Sequence, residues 1–429
     1  MASDGRLAEA PPPNAIDLAD LAPIQRRTTI VLILMQITGT VGVGVAPSIG
    51  ILLAGEVTQN EAWAGLARSA STLGAAVFGL PLGSLAARHG RRVALATGWW
   101  TAGAGGMLLV VAAQLSLVVP LFIGLLLIGA GSATSLQSRF AAADLAEPRN
   151  KARALGLVVW VGTLGSVLGP NLGIPGEWME RATGLTVFAS AFLIAAVCLL
   201  LAGAVVFALL RPDPLTLVRQ VVPEAQPGRT GPRRGRLRQV MAELRVNPPA
   251  RHAVLAVLTA QVVMVSMMTM TPVHMAMHGD TVTIVGVTIS LHIVGMYGLA
   301  PLVGRIADLR GHRFTILVGV GIFLASLVVG ALWPDQTGGI IVSLILLGVG
   351  WSFVNVAGSA MFSTVVSQQN RATSQGGVDA LSNLCGAVAA FVAGPLLVLS
   401  SFSLLAILSI GLLVPLTVVT VLRRHVTVG

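Results

Sequence analysis

Charge is scarce in this chain. Only 10% of its 429 residues are Asp, Glu, Lys or Arg, whereas 55% are hydrophobic. A soluble domain carries about 25% charged residues. No soluble core hides this much apolar surface, and a mean hydropathy of +0.85 marks a polytopic membrane protein. Lysine is almost missing: of 27 basic residues only Lys151 is a lysine, a bias that reads as base composition of the source genome. Cysteine is limited to Cys198 and Cys385, both inside apolar stretches. That excludes a disulfide framework, a cysteine zinc site and thiol catalysis. There is no Ser-His-Asp constellation, metal-ligand cluster or phosphate loop. The glycine-rich run Gly103, Gly105, Gly106 lies within an apolar span and reads as helix packing rather than a nucleotide site. An enzyme, a cofactor and a bound metal are therefore not expected.

The net charge of +10 does not point to nucleic acid, because the basic residues lie in short loops between apolar runs. The first 24 residues hold Pro11, Pro12, Pro13 and four acidic side chains. They lack the basic start and short apolar core of a signal peptide. Residues 1–25 are expected to be a disordered cytosolic tail.

What is present in quantity is long hydrophobic segments. A bilayer-crossing helix needs about 20 apolar residues. Spans are expected at 28–53, 63–87, 154–175, 183–210, 253–277, 283–307, 314–332, 339–366, 375–399 and 404–422. Residues 93–138 run without a charge for the length of two further spans, broken near Gln114 to Pro120. The total is twelve. Arginine sets the orientation. One family of loops holds Arg26, Arg27, Arg88, Arg91, Arg92, Arg149, Lys151, Arg153, Arg310, Arg313, Arg371, Arg423 and Arg424. The other holds Arg68 and Arg181 at most. Basic loops stay inside, so both termini are expected in the cytosol and the chain in the cell inner membrane.

The longest loop, 211–251, carries nine arginines against Asp213, Glu224 and Glu243. Its middle is rich in Pro, Gly and Arg and reads as flexible. Leu237, Val240, Met241 and Leu244 then recur at helical spacing among arginines, which predicts an interfacial helix on the anionic inner leaflet. The expected domains are a bundle of six helices over 26–210, this basic cytosolic linker, and a second six-helix bundle over 252–429.

One short signature occurs twice. Gly83, Gly90 and Arg92 recur as Gly304, Gly311 and Arg313 at a constant offset of 221. Asp308 stands inside the second copy, and Ala87 takes its place in the first. Two homologous halves of membrane helices are the architecture of a secondary transporter. The fifth span adds Gly165, Gly169, Pro170 and Gly173. Glycines four apart flatten a helix face for close contact, and the proline can bend the helix.

These features resemble the major facilitator superfamily from Arg26 to Arg424. The loop is similar to its Gly-x-x-x-Asp-x-x-Gly-x-Arg signature. The fifth-span pattern resembles the Gly-x-x-x-Gly-Pro-x-x-Gly antiporter motif of the drug-efflux branch, though generic close packing would also explain it. The resemblance implies an all-α membrane protein of twelve transmembrane helices in two pseudo-symmetric halves, working as a monomer. It also implies alternating access, a small-molecule substrate and a proton as coupling ion. The chain departs from the pattern at Ala87, in having no arginine in the middle of the fourth span near Gly124 and Leu125, and in having no acid in the first span.

Charged groups inside spans usually face a cavity or a partner. His292 lies about nine residues into the eighth span, roughly 13 Å deep. It could carry the coupling proton, or be a neutral histidine bonded across helices. Asp379 enters the eleventh span near its cytosolic end, four residues before Asn383. It is expected to join Asp144 around Arg91 and Arg92, closing a gate that Ala87 leaves one acid short, or else to carry the proton. Asp144 resembles the acid that joins the loop arginines in a charge relay, and Arg139 lies close by on the same span. Asp308 is expected near Arg313 or the start of the fifth span. His274 and His278 read as exposed interfacial histidines, with metal binding or pH sensing as the other option. Gln36, Gln137, Trp160, Gln261 and Asn355 are candidates to line a cavity.

The function expected is proton-coupled export of a hydrophobic or amphipathic small molecule. The alternative is an uptake or facilitative carrier for a small metabolite. Unpaired intramembrane charge would favour the second, and a mainly apolar cavity the first.

Overall fold

The computed structural model describes residues 22–146, 151–221, 247–366 and 368–422, with side chains described outside 151–153, 219–221 and 368–376. The expected interfacial helix around 237–244, most of the N-terminal tail, and Arg423 and Arg424 lie outside the described residues. Every regular element among the described residues is helical. Eleven are long and apolar enough to cross a bilayer.

The element Trp63–Leu115 has 53 residues. At 1.5 Å per residue it would measure about 80 Å, more than twice the hydrocarbon thickness of about 30 Å. It is two helices. Gly90 has φ 86° and ψ 172°, which no α-helix contains. The break divides α2 (63–89) from α3 (91–115), each about 25 residues, the length one crossing needs. Counted so, the spans number twelve. Gly311, at φ 87° and ψ 153°, makes the matching break in the second half. The repeated signature is thus a repeated turn, and its positive φ is one that L side chains avoid and glycine adopts freely.

The remaining spans are α1 (Ala22–Thr58), α4 (Val118–Asp144), α6 (Val187–Leu209), α7 (Pro248–Met277), α9 (His312–Leu332), α10 (Thr337–Val365), α11 (Gln368–Leu399) and α12 (Phe402–Leu422). Two more are composite. Helix α5 joins Lys151–Leu168, a 3-10 turn at Gly169–Leu172, and Gly173–Thr183; α8 joins Val282–Tyr297 to Ala300–Arg310. Helix α1 is also irregular, with a π turn at Ala46–Gly50. Pro47 and Pro170 lie within two of these irregularities and Pro301 just after the third, and proline lacks the amide proton an α-helix requires. A short linker helix, Pro214–Val221, follows α6. Side-chain caps start α6, α7 and α8, where Thr186, Asn247 and Thr281 accept from Ala189, Ala250 and Ile284 amides at 3.2, 3.1 and 3.3 Å.

The apolar cores lie mostly within each half, but the largest also takes in Ile51 of α1 and Ala64 of α2. One cluster joins methionines 264, 267, 268 and 270 of α7 to α8, α9, α10 and α12. Two others lie wholly within α1 to α6, apart from Val282 at their edge. The outer surface is apolar as well: Leu73, Val77, Ile123, Leu201, Val388 and Phe391 are exposed. Acyl chains cover such a surface, and helices satisfy their own backbone groups there. Buried hydroxyls are also satisfied locally. Ser326 and Ser343 exchange bonds across α9 and α10, each hydroxyl donating to the other's carbonyl at 2.6 and 2.8 Å.

Candidate functional site

The first signature turn is held by two carboxylates. Arg91 donates through Nε to Asp144 Oδ2 at 2.8 Å and through Nη2 to Oδ1 at 3.3 Å, both side chains being about one-seventh exposed. The second carboxylate is Asp213, from the start of the linker helix. Its Oδ2 accepts the Arg92 amide at 2.7 Å while Oδ1 accepts the Leu215 and Thr216 amides at 3.0 and 3.2 Å. A Cβ on Gly90 would collide with that carboxylate. Asp213 therefore brings an acid to the turn where Ala87 has none. The Arg92 guanidinium itself lies 4.4 Å over the Phe207 ring.

Asp379 does not join this group, which corrects the expectation that it faces Arg91 and Arg92. It reaches Arg139 of α4 at 3.8 Å, with side-chain exposures of 60% and 31%. The reason is geometric: α11 packs against α2 and α7, which turns Asp379 toward Arg139 near the end of α4. The second signature turn differs too. Arg313 donates to the Val421 carbonyl at 2.7 Å, satisfying the last turn of α12. Asp308 is exposed and forms no ion pair with Arg313 or any other described residue; the start of the fifth span, the other place expected for it, lies outside the described side chains. Gly83 and Gly304 have open space where a Cβ would stand.

At the other end of the bundle the halves meet tightly, along two seams. In the first, Ser69 of α2 donates to the Ala387 carbonyl of α11 at 2.8 Å. Beside it a Cβ on Gly65 would strike the Ala390 carbonyl. The second seam is built on the fifth-span motif. Gly165 and Gly169 face α1, where a Cβ would meet Thr40 and Gly44. Pro170 and Gly173 face α8: the Pro170 carbonyl lies against Gly286, and Gly173 against Val282. Asn171 donates to Ser290 Oγ at 2.7 Å, and Ser290 donates to the Val167 carbonyl at 2.6 Å. Gly165 and Gly169 thus serve contact within the first half, and Pro170 and Gly173 serve contact between halves.

The deep candidates divide. Gln36 is buried in the first half, donating to Ser135 at 2.6 Å and accepting from Ser138 at 2.8 Å. Gln137 donates to the Gly79 carbonyl at 3.1 Å. Gln261 accepts from Trp351 Nε1 at 3.3 Å. Asn355 is half-buried on α10, Asn383 is exposed on α11, and Trp160 is 52% exposed on α5. His292 is fully buried, with Nδ1 at 2.7 Å from the Leu344 carbonyl and Gly348 pressed against it. It is a packed residue between α8 and α10, and the option that it faces a central cavity does not hold. His274 is buried rather than interfacial, stacked on Phe402 at 4.4 Å and bonded to the Pro334 carbonyl. His274, His278 and Asp335 lie within reach of one ion, but hydrogen bonds already engage all three.

Two interior groups escape the sequence reading. Counting Arg68 with the loops overlooks that it falls within α2, five residues past Trp63 with no turn between. Tyr297 is the only tyrosine of the chain and meets Trp351 edge to face at 5.6 Å. The third missed residue, Asp213, carries a signal available in sequence: an acid followed by a proline is a common helix start.

Two helical halves with a repeated turn, joined along seams of small residues, define a multi-pass membrane transporter. Comparison with known proteins agrees. The sequence model of the Major Facilitator Superfamily matches residues 28–390 and 278–428. YddS of Bacillus subtilis (strain 168), an uncharacterized MFS-type transporter, is 35% identical over 392 residues, 90% of this chain and 88% of that one. The riboflavin transporter RfnT of Brucella anthropi is 27% identical over 376 residues, 88% of this chain and 90% of its own. The crystal structure of the nucleoside transporter NupG superposes with a TM-score of 0.68 over 94% of this chain and 100% of its own, at 14% identity. A bacterial homologue of the human lysosomal transporter Spinster, in an inward-facing and occupied conformation, gives 0.65 over 93% and 95%, also at 14% identity. The chain belongs to the Major Facilitator Superfamily.

Proposed function

We propose that the chain moves an amphipathic small molecule across the cell inner membrane by alternating access, exporting it against a proton gradient. The observation that carries this reading is the asymmetry of the contact between halves. One end is sealed by backbone-close packing of α2 on α11 and α5 on α8. At the arginine-rich end the described link is a single ion pair, Arg139 to Asp379 at 3.8 Å. Rocking the halves about the broken centres of α1, α5 and α8 exchanges which end is shut. With His292 packed away, Asp379 is the better proton carrier. Protonation removes the charge that attracts Arg139, so proton binding loosens the link between halves. Riboflavin and nucleosides, for which two of the similar proteins are named, join a flat ring to polar groups, which supports an amphipathic solute.

The test is solute movement in sealed vesicles under an imposed pH gradient, screened against dyes, drugs, sugars and lipids. Asp379→Asn should lower uphill accumulation about tenfold, the scale of roughly 1.4 kcal/mol, while downhill exchange persists. Undiminished uphill transport in that variant would remove the proton role from Asp379. The second reading, uptake or facilitated passage of a metabolite, is favoured by the unpaired cation Arg68. Vesicles of both orientations separate the two, since export and uptake accumulate solute in opposite preparations.

A further inference from the structure

Three metal-ligating side chains converge at the C-terminal end of α7. His274 and His278 stand four residues apart, on one helix face, with ring centres 4.3 Å apart. Asp335 comes from the loop between α9 and α10. One ligand atom from each of the three lies within 4.8 Å of the other two.

The hydrogen bonds here do not balance for neutral rings. A backbone carbonyl only accepts. His274 must therefore donate its Nε2 proton to the Pro334 carbonyl at 2.7 Å, and His278 its Nδ1 proton to the His274 carbonyl at 2.8 Å. A neutral imidazole carries one such proton. His274 Nδ1 and His278 Nε2 are then bare lone pairs. Yet His278 Nε2 lies 3.1 Å from Asp335 Oδ1, so two acceptors face each other. A cation resolves this. A proton would serve that pair alone, whereas a metal ion draws on all three groups. A histidine that ligates a metal through one nitrogen commonly gives its other N–H to a backbone carbonyl or carboxylate. Both rings already do so. Ligand atoms about 2.0–2.1 Å from a tetrahedral ion stand roughly 3.3 Å from one another, close to the 3.1 Å of the His278–Asp335 pair.

The surroundings also favour a cation. Residues 278–281 and 333–336 hold Asp280 and Asp335 and no arginine or lysine. The end of α7 adds the negative partial charge of a helix C-terminus. His278 and Asp335 are exposed, so an ion has a way in and water has access to a fourth position.

We infer that His274, His278 and Asp335 form a site for a divalent transition-metal ion of the zinc class, pinning the α7–α8 turn to the α9–α10 loop. Two imidazoles and a carboxylate suit Zn²⁺, Co²⁺, Ni²⁺ or Cu²⁺, whereas Mg²⁺ and Ca²⁺ take oxygen ligands. Thr337 donates to Asp280 at 2.8 Å across the same junction, so the ion reinforces a contact that forms without it. The site does not depend on what the chain carries.

The test is metal titration of the purified full chain, stripped with chelator and bearing no polyhistidine tag. The parent should take up one Zn²⁺ per chain, give the visible spectrum of four- or five-coordinate Co²⁺, and melt higher with Zn²⁺ than with chelator. Mg²⁺ should do none of this. His278→Gln and Asp335→Asn each remove one exposed ligand. Each should weaken Zn²⁺ binding at least about tenfold, the least that loss of even a ligand's supporting partner costs, and melt like the parent in chelator. His274→Gln should weaken binding as much; because His274 is buried, the two exposed variants decide the matter if it does not fold. No saturable uptake by the parent, parental affinity in His278→Gln or Asp335→Asn, or equal binding of Mg²⁺ overturns the site. A parent that binds no ion while His278 titrates as a histidinium paired with Asp335 assigns the contact to a proton and overturns it as well.

Discussion

At the Gly90 turn, two acids from distant parts of the chain meet neighbouring arginines. Asp144 takes Arg91 through two bonds, and Asp213 takes the Arg92 amide. Asp144→Asn keeps the shape but removes the charge from a mostly buried pair. It should cost about 1–3 kcal/mol of the state that holds this turn. Transport should slow by roughly tenfold or more, and a cysteine placed at Ser84 should change its labelling rate. Parental transport and labelling would show that the pair is ornamental. The role of Asp144 was legible because the resemblance attaches an acid to the loop arginines. The pairing of Asp379 was not. Sequence gives the depth of a residue in a helix but not which neighbour its side chain meets around the axis, and α11 turns Asp379 toward Arg139. Only the cavity-facing option for His292 failed, for the same reason: its depth suits a cavity, but its azimuth puts it against α10, bonded across helices as the other option had it. Arg68 was hidden by a rule that assigns basic residues to loops, which holds on average and fails where an interior cation is retained.

Helices were easier to read, because hydropathy and proline act locally. The expected spans 314–332 and 404–422 differ from His312–Leu332 and Phe402–Leu422 by two residues at one end. The break expected near Gln114 to Pro120 falls between Leu115 and Val118. What patterning does not reveal is which glycines touch another helix. Gly65 and Gly83 lie on the same helix, and only the first has a neighbour at Cβ distance, the Ala390 carbonyl. Gly65→Ala must push backbone against backbone and should weaken the α2–α11 seal by about 1–3 kcal/mol. A probe cysteine near that end should then label about 5- to 150-fold faster. Gly83→Ala meets open space and should leave labelling and melting temperature within a few tenths of a kcal/mol of the parent, the size of a surface helix substitution. Equal effects of the two changes would mean that the seal does not depend on close approach at Gly65.

On the scale of the molecule, two bundles, whose cores join only where Ile51 and Ala64 enter the second-half cluster, are pressed together at one end by small residues and linked at the other by an exposed ion pair. Such a body can exchange which end is closed without remodelling either core, since the contacts to be broken lie between bundles and not within them. A crosslink across the α2–α11 seam tests this claim most directly. Ser69 and Ala387 are already joined by a 2.8 Å hydrogen bond, so cysteines at both positions should form a disulfide once Cys198 and Cys385 are replaced by serine. Alternating access predicts that oxidation stops solute movement in vesicles under a pH gradient and that reduction restores it. Transport at the uncrosslinked rate through fully oxidised protein would show that this seam need not open, and would contradict the account.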